Sequence, residues 1–264
     1  MPRHFISDLD GTLLQNNHEL DRETITAIRN LHDCGGTFSI ATGRHNFDVM
    51  DLSKRIDRPI GMISCNGGMV IDPNNKIIGV TYIPIDTSIS IINYPLPKDI
   101  HLNAYTIKSW YINETNNNLE NYSPQSGFKY KIINKKFLKR KRIIKFFLLG
   151  DRLSLLKLHD ELQVKYFGKL DFSFSLPWCM EIMPVGVNKA SAVSLLCNHL
   201  GFTPKQTMAF GDGENDIEML KYVGFPKVML NASTSVKKAV PHAEVIGHAH
   251  SLGVAEYINK LISS

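Results

Sequence analysis

The chain has 264 residues, of which 43% are hydrophobic, and a formal net charge of +5, enough apolar material for one large domain or two smaller ones. No apolar run approaches the roughly 18 to 20 residues that cross a bilayer, and Asp8 and Asp10 stand where a secretory signal would carry its apolar stretch. A folded cytoplasmic protein with no membrane partner is therefore expected.

Phe5-Ile6, followed by an acidic turn containing glycine, reads as a buried strand. Asp21 to His32 carries Ile25, Ile28 and Leu31 at helical spacing and stops at Gly35-Gly36, so a helix returns the chain to a strand over Thr37 to Ala41. After Thr42-Gly43-Arg44 a second helix leads to a third strand, Pro59 to Ser64. Met69 to Ile71 and Ile77 to Ile83 flank Asp72-Pro73-Asn74-Asn75 as the arms of a hairpin. The pattern then turns β-rich, with strands predicted within Leu102 to Ile112, Lys129 to Ile133, Ile143 to Leu149 and Asp171 to Met183, and a helix over Arg152 to Tyr166. Alternation resumes at Asn188 with a helix closed by Gly201, an apolar strand Thr207 to Phe210, a helix from Asn215, a strand Lys227 to Leu230 and a final helix from Ser251. The spacing predicts an α/β protein: a parallel sheet interrupted by an inserted α+β domain.

The cysteines Cys34, Cys65, Cys179 and Cys197 form no CxxC pair and are expected to be ordinary thiols. Lys135, Lys136, Lys139, Arg140, Lys141, Arg142 and Lys145 crowd one stretch. Lacking the interleaved aromatics of an RNA-binding module, they are expected to form a solvated face beside a strand, with nucleic-acid binding as the alternative. His242, His248 and His250 cluster near the end without a familiar metal spacing, and a surface turn accounts for them.

Three predicted strand ends carry complementary groups, and in an open parallel sheet such ends converge. Asp8-Leu9-Asp10-Gly11-Thr12 places two carboxylates two residues apart. A chance D-x-D-G-T in a chain of this length has a likelihood of about two in a thousand. The second loop offers Thr42, Gly43 and Arg44; the third, Gly211-Asp212-Gly213-Glu214-Asn215-Asp216, combines small residues with carboxylates that suit a hard cation. Phosphate-ester cleavage needs a nucleophile, charge neutralisation and a proton for the leaving group. Asp8 supplies the first. Mg²⁺ held by Asp8, Asp212 and the Asp10 carbonyl supplies the second, with Thr42 and Lys189 on the phosphoryl oxygens, and Asp10 supplies the third.

In this order, with Asn188-Lys189 opening a late helix, these motifs resemble the four motifs of the haloacid dehalogenase (HAD) superfamily, in its Cof-type subgroup, over nearly the whole chain. The resemblance implies a Rossmann-like HAD core with a parallel sheet, residues 1–82 and 187–264. An α+β cap of the C2B type, residues 83–186, is implied to cover the mouth of the site. It further implies a Mg²⁺-dependent phosphatase of small phosphorylated metabolites in which Asp8 is the nucleophile and Asp10 the acid/base. Thr42, Gly43, Arg44, Lys189 and Asn215 would bind phosphate, Asp8, Asp10 and Asp212 would hold the metal, and Asp216 would orient the metal shell or Lys189.

ATGRH at Ala41 to His45, SGFKYKIIN at Ser126 to Asn134, CMEIMPVGVNK at Cys179 to Lys189 and PHAEVIGH at Pro241 to His248 are similar to one branch of that subgroup. Its members are regarded as phosphatases of the thiamin intermediate hydroxymethylpyrimidine pyrophosphate (HMP-PP) that also accept sugar phosphates and pyridoxal phosphate. The alternatives that stay open are a broader sugar-phosphate or pyridoxal-phosphate phosphatase and a phosphomutase. Glu181 is the candidate substrate contact outside the core, and Trp178 and Tyr130 are either stacking or packing groups. The oligomeric state is not encoded legibly.

Overall fold

The computed structural model describes residues 2–14, 19–115 and 127–263; Ser126, the first residue of the SGFKYKIIN stretch, lies outside them. The chain runs through β1 (His4–Ser7), α1 (Arg22–Asp33), β2 (Thr37–Ala41), α2 (Asn46–Ile56) and β3 (Ile60–Ser64) in the predicted alternation. Helix α1 starts where Asp21 accepts a hydrogen bond from the Thr24 amide at 2.6 Å, and it buries Ala27, Ile28 and Leu31. β4 (Met69–Ile71) and β5 (Ile77–Val80) flank a turn in which the Asp72 carboxylate accepts from the amides of Asn74 and Lys76, both at 2.9 Å.

The inserted stretch differs from the predicted elements in three places. The strand expected to reach Ile83 stops at Val80, and α3 (Ile85–Ile92) follows Pro84. Its β-branched residues have weak helical preference, but burying Ile91 and Ile92 outweighs it. The stretch Leu102 to Ile112 is a hairpin, β6 (His101–Tyr105) and β7 (Trp110–Ile112). Its turn is tied by the Ser109 amide donating to Thr106 Oγ1 at 3.1 Å, a closure that no Gly or Pro announces. After β8 (Tyr130–Ile132), α4 (Lys135–Leu138), β9 (Lys145–Leu149) and α5 (Arg152–Lys165), the stretch Asp171 to Met183 is again a hairpin. Its arms are β10 (Leu170–Leu176) and β11 (Cys179–Pro184). The chain closes with α6 (Lys189–Leu200), β12 (Thr207–Gly211), α7 (Ile217–Tyr222), β13 (Phe225–Met229), α8 (Thr234–Ala239), β14 (Glu244–Ile246) and α9 (Gly253–Ile262).

Two compact units result, Met1–Gly79 with Asn188–Ser264, and Val80–Val187. In the first, the sheet order is β14-β13-β12-β1-β2-β3-β4-β5, parallel from β14 to β3 with β4 antiparallel to β3. Ile6, Ala41, Ile63, Val193, Leu196, Ala209, Leu220 and Val228 share one core against α6 and α7. In the second, the sheet order is β10-β11-β9-β6-β7-β8. Leu102, Ala104, Phe146, Leu148, Met180 and Ile182 pack there with Leu155, Leu158 and Leu162 of α5.

The strand order positions the chemistry. From β1 the chain steps to β2 and β3 on one side, and on its return it places β12, β13 and β14 on the other. The connections that leave β1 and β12 therefore run to opposite sides of the sheet order, and the carboxyl ends of these two adjacent strands are where such a topology places a site. Ile6, fully buried at the centre of β1, supports this junction. Replacing Ile6 with Ala is expected to cost about 2 to 5 kcal/mol, read as a lowered urea midpoint at unchanged m-value.

Candidate active site

The Asp8 amide donates to the Phe210 carbonyl at 3.0 Å, extending the β1–β12 ladder by one step before the strands part. Leu9–Leu13 then forms a single wide turn in which Gly11 adopts φ +79°. A Cβ at this position would overlap the Asp212 carboxylate, so glycine is required on both counts. The turn is sewn to Asp212 from two sides. Thr12 Oγ1 donates to Asp212 Oδ1 at 2.6 Å, and Asn231 Nδ2 donates to the Gly11 carbonyl at 2.7 Å and to Asp212 Oδ2 at 3.4 Å. Asn231 in turn accepts from the Ala249 amide at 3.0 Å.

Lys189 is the first residue of α6, where the helix dipole disfavours a cation, and it is buried. Two carboxylates compensate. Lys189 Nζ donates to Asp8 Oδ1 at 2.5 Å and to Asp216 Oδ1 at 2.6 Å. Asp216 Oδ2 accepts the amides of Asp212 at 3.0 Å and Gly213 at 2.9 Å, so one carboxylate fixes both the lysine and the loop that carries Asp212. Burial pushes the Lys189 ammonium down, but Asp216 and Asp8 more than reverse this and hold it above its usual range. Burial pushes the Asp8 carboxyl well above its usual range; Lys189 opposes the rise, and Asp216, Asp212 and Asp10 add to it. Asp212 is pushed up to about 6, again chiefly by burial, against the pull of the Thr12 hydroxyl.

Asp8, Asp10, Asp212 and Asp216 thus face two basic side chains, Lys189 and Arg44, leaving two negative charges in excess. Oxygens of Asp8, Asp212 and Asp216 lie within 4.8 Å of one another. Ligand oxygens on opposite sides of a hard divalent cation lie roughly 4 to 5 Å apart, so spacing, donor type and missing charge all fit such an ion. The Asp10 side chain is not in this trio. Its two oxygens accept from Arg44, Oδ2 from Nε at 2.8 Å and Oδ1 from the terminal amino group, on the more exposed side of the loop.

Thr42 is buried at the end of β2, its amide donating to the Ile63 carbonyl at 2.9 Å and its hydroxyl accepting from the Arg44 amide at 3.1 Å. Asn215 lies across from a residue that the motif reading did not single out. Asn215 Nδ2 donates to Asn66 Oδ1 at 3.2 Å. Asn66 and Cys65 follow β3 and both adopt φ +52°, a left-handed conformation that costs a residue with a Cβ about 1 to 3 kcal/mol. The signal available in the sequence was another loop after a core strand, Cys65-Asn66-Gly67, as Asn231 is the loop residue after β13.

Glu181, in the second unit, is buried on β11 and accepts from Lys145 Nζ at 3.0 Å. Lys145 is thereby removed from the basic cluster to which its sequence position assigned it, because strand alternation turns it onto the face of Tyr105 and Phe147. Arg142 stacks on Tyr82, Lys141 on Tyr111 and Arg140 on Phe137. Tyr130 meets the edge of Trp110, whereas Trp178 is 42% exposed. The rings of His248 and His250 lie 4.5 Å apart at a tilt of 32°. No helix among the described residues is long and apolar enough to cross a membrane.

A mostly parallel sheet with acidic loops on two adjacent strands and a buried lysine from a later helix defines a carboxylate-rich α/β site. Comparison with known proteins narrows this class. Residues 5–258 match the family model for haloacid dehalogenase-like hydrolases, and the chain belongs to that family. It is 33% identical over 264 residues to a putative phosphatase of Buchnera aphidicola subsp. Schizaphis graminum, covering 98% of this chain and 96% of that one. It is 30% identical over 258 residues to an HMP-PP phosphatase of Escherichia coli O6:H1, covering 98% and 95%. The crystal structure of TM0651 from Thermotoga maritima superposes with a TM-score of 0.85 at 27% identity, covering 98% of this chain and 97% of that one.

The raised carboxyls have a sign that can be tested. A carboxyl that titrates higher in the folded than in the unfolded protein contributes its stability below its ordinary range and loses it as the pH rises through the folded value. For Asp212 that window runs from about 4 to about 6. The metal-free Asp212→Asn variant is expected to be more stable than the parent at pH 7.5, by roughly 2 kcal/mol, and equal to it at pH 4. Thermal unfolding in the presence of a chelator checks both points.

Proposed function

We propose that this protein is a Mg²⁺-dependent phosphatase of small phosphorylated metabolites that works through an aspartyl-phosphate on Asp8, with HMP-PP as its preferred substrate. The observation that carries the reading is the junction of Asp8 with Lys189, Asp216 and Asp212 at the ends of adjacent parallel strands.

An Asp8 oxygen attacks phosphorus and the bond to the leaving oxygen breaks, while Asp10 in its acid form gives that oxygen a proton. Water then attacks the phosphorus of the acyl phosphate, Asp10 takes its proton, and phosphate and the free Asp8 carboxylate are restored. Lys189, Thr42 and Asn215 hold the phosphoryl oxygens, and Asp216 keeps Lys189 aimed at Asp8. Arg44 pairs with Asp10 in the substrate-free protein; that pair opens when Asp10 turns to the leaving group, freeing the guanidinium for phosphate. Mg²⁺, held by Asp8, Asp212 and the Asp10 carbonyl with Asp216 beside them, would neutralise the charge that otherwise repels an anionic substrate.

The substrate assignment rests on the HMP-PP phosphatases that match along almost the full chain. Glu181 is assigned to leaving-group choice, which makes it the residue whose replacement by Gln reorders substrates without a comparable change in aryl phosphate turnover.

Asp8→Asn is expected to abolish Mg²⁺-dependent release of free phosphate from an aryl phosphate, with the melting temperature unchanged or raised. Retained turnover would refute the nucleophile, and phosphate that stays on the organic product would indicate a mutase. In a panel ranked by catalytic efficiency, HMP-PP is expected to stand first. A sugar phosphate or pyridoxal phosphate in that place would replace the substrate but keep the reaction.

A further inference from the structure

We propose that Asn66 is a positioning residue for phosphate binding, acting through Asn215; the proposal rests on the phosphatase reading above. Three observations converge on the turn that contains it. Its backbone is tied to the loop of Thr42 and Arg44: the Cys65 amide donates to the Arg44 carbonyl at 2.9 Å and the Asn66 amide to the Thr42 carbonyl at 3.0 Å. Its side chain is tied to the third acidic loop through the bond from Asn215 Nδ2 to Asn66 Oδ1. Its next residue, Gly67 at φ +98°, passes so close to the Asn188 carbonyl that a Cβ there would overlap it. Asn188 caps the helix whose first residue is Lys189. One three-residue turn therefore touches the supports of Thr42, Lys189 and Asn215, the three side chains assigned to the phosphoryl oxygens.

The backbone of this turn is unfavourable by itself. Two successive non-glycine residues in the left-handed region are rare, and Cys65 lacks the short polar side chain that eases the conformation for asparagine. A turn that served only to connect β3 to β4 would be satisfied by glycine at either place. Strain kept where three site loops meet, with a buried carboxamide at its centre, points to a demand on that carboxamide. The demand is met by a fixed acceptor. The Asn215 amide has one N–H committed to Asn66, which sets the plane of its carboxamide and so the direction in which its second N–H can donate to a phosphoryl oxygen. The Ser64 hydroxyl, at the last residue of β3, is buried and has no hydrogen-bond partner among the described residues, so this end of the strand is polar beyond what folding requires.

Asn66→Gly is the informative replacement, because glycine accepts the left-handed backbone and removes only the carboxamide. The variant is expected to melt no lower than the parent. Inhibition by inorganic phosphate and the KM for an aryl phosphate should both weaken by about tenfold, the middle of the range for coupled side chains, with a smaller change in kcat. In an Asn215→Ala background the same replacement should have no further effect. The idea is overturned if Asn66→Gly leaves phosphate inhibition unchanged, if its effect and that of Asn215→Ala simply multiply, or if Asn215→Ala alone does not weaken phosphate. A parent protein that neither hydrolyses the ester nor is inhibited by phosphate would instead defeat the phosphatase reading.

Discussion

Carboxylates repel one another most where water is scarce, and the first unit of this protein gathers four of them at the parting of two central strands. A single buried lysine is shared between Asp8 and Asp216. Asp216 is satisfied further by two backbone amides, Asp212 by Thr12 and Asn231, and Asp10 by Arg44. Asp8 shares its one cation with Asp216 while being buried among carboxylates, and it is chiefly this burial that pushes its carboxyl so far up, with Lys189 opposing the rise and Asp216, Asp212 and Asp10 adding to it. Under the proposed reaction, a carboxylate that is undercompensated in the resting protein would gain most from a cation and from a phosphoryl group that turns it into an acyl phosphate.

Holding such a cluster together requires supports that bear no charge. On the Asp212 side, Gly11 lets the first loop pass against the carboxylate while Thr12 and Asn231 pin it. On the side proposed to bind phosphate, Asn66 and Gly67 link the loop of Thr42 to the loops of Asn188 and Asn215. The two groups of supports come from different strand ends and share no residue. A loss on one side should therefore disturb cation or phosphate affinity separately.

Much of this was legible in the sequence, and the reason is periodicity. Ile25, Ile28 and Leu31 mark α1, and the apolar runs of β1, β2, β3 and β12 mark strands buried on both faces; the acidic and small residues that follow them mark strand ends. Helix α3 was illegible because Ile85, Thr87, Ile89, Ile91 and Ile92 read locally as strand, and only packing decides for helix. The hairpin turn after Tyr105 was illegible because it is closed by a threonine hydroxyl rather than by Gly or Pro. Lys145 was misread as solvated because a run of cations conceals strand alternation, which turns this one inward to Glu181. Asn66 and Asn231 carry no charge, so in the sequence they are marked only by following a core strand, and their hydrogen bonds are what single them out.

Four clustered carboxylates facing two basic side chains call for one divalent cation to supply the missing positive charge. Calorimetric titration of Mg²⁺ into the chelator-treated protein at pH 6, repeated in two buffers of different ionisation enthalpy, addresses it directly. One ion is expected to bind per chain, with protons released on binding because Asp8 and Asp212 are driven to their ionised forms. Saturable binding without proton release, or no binding at all, would contradict it.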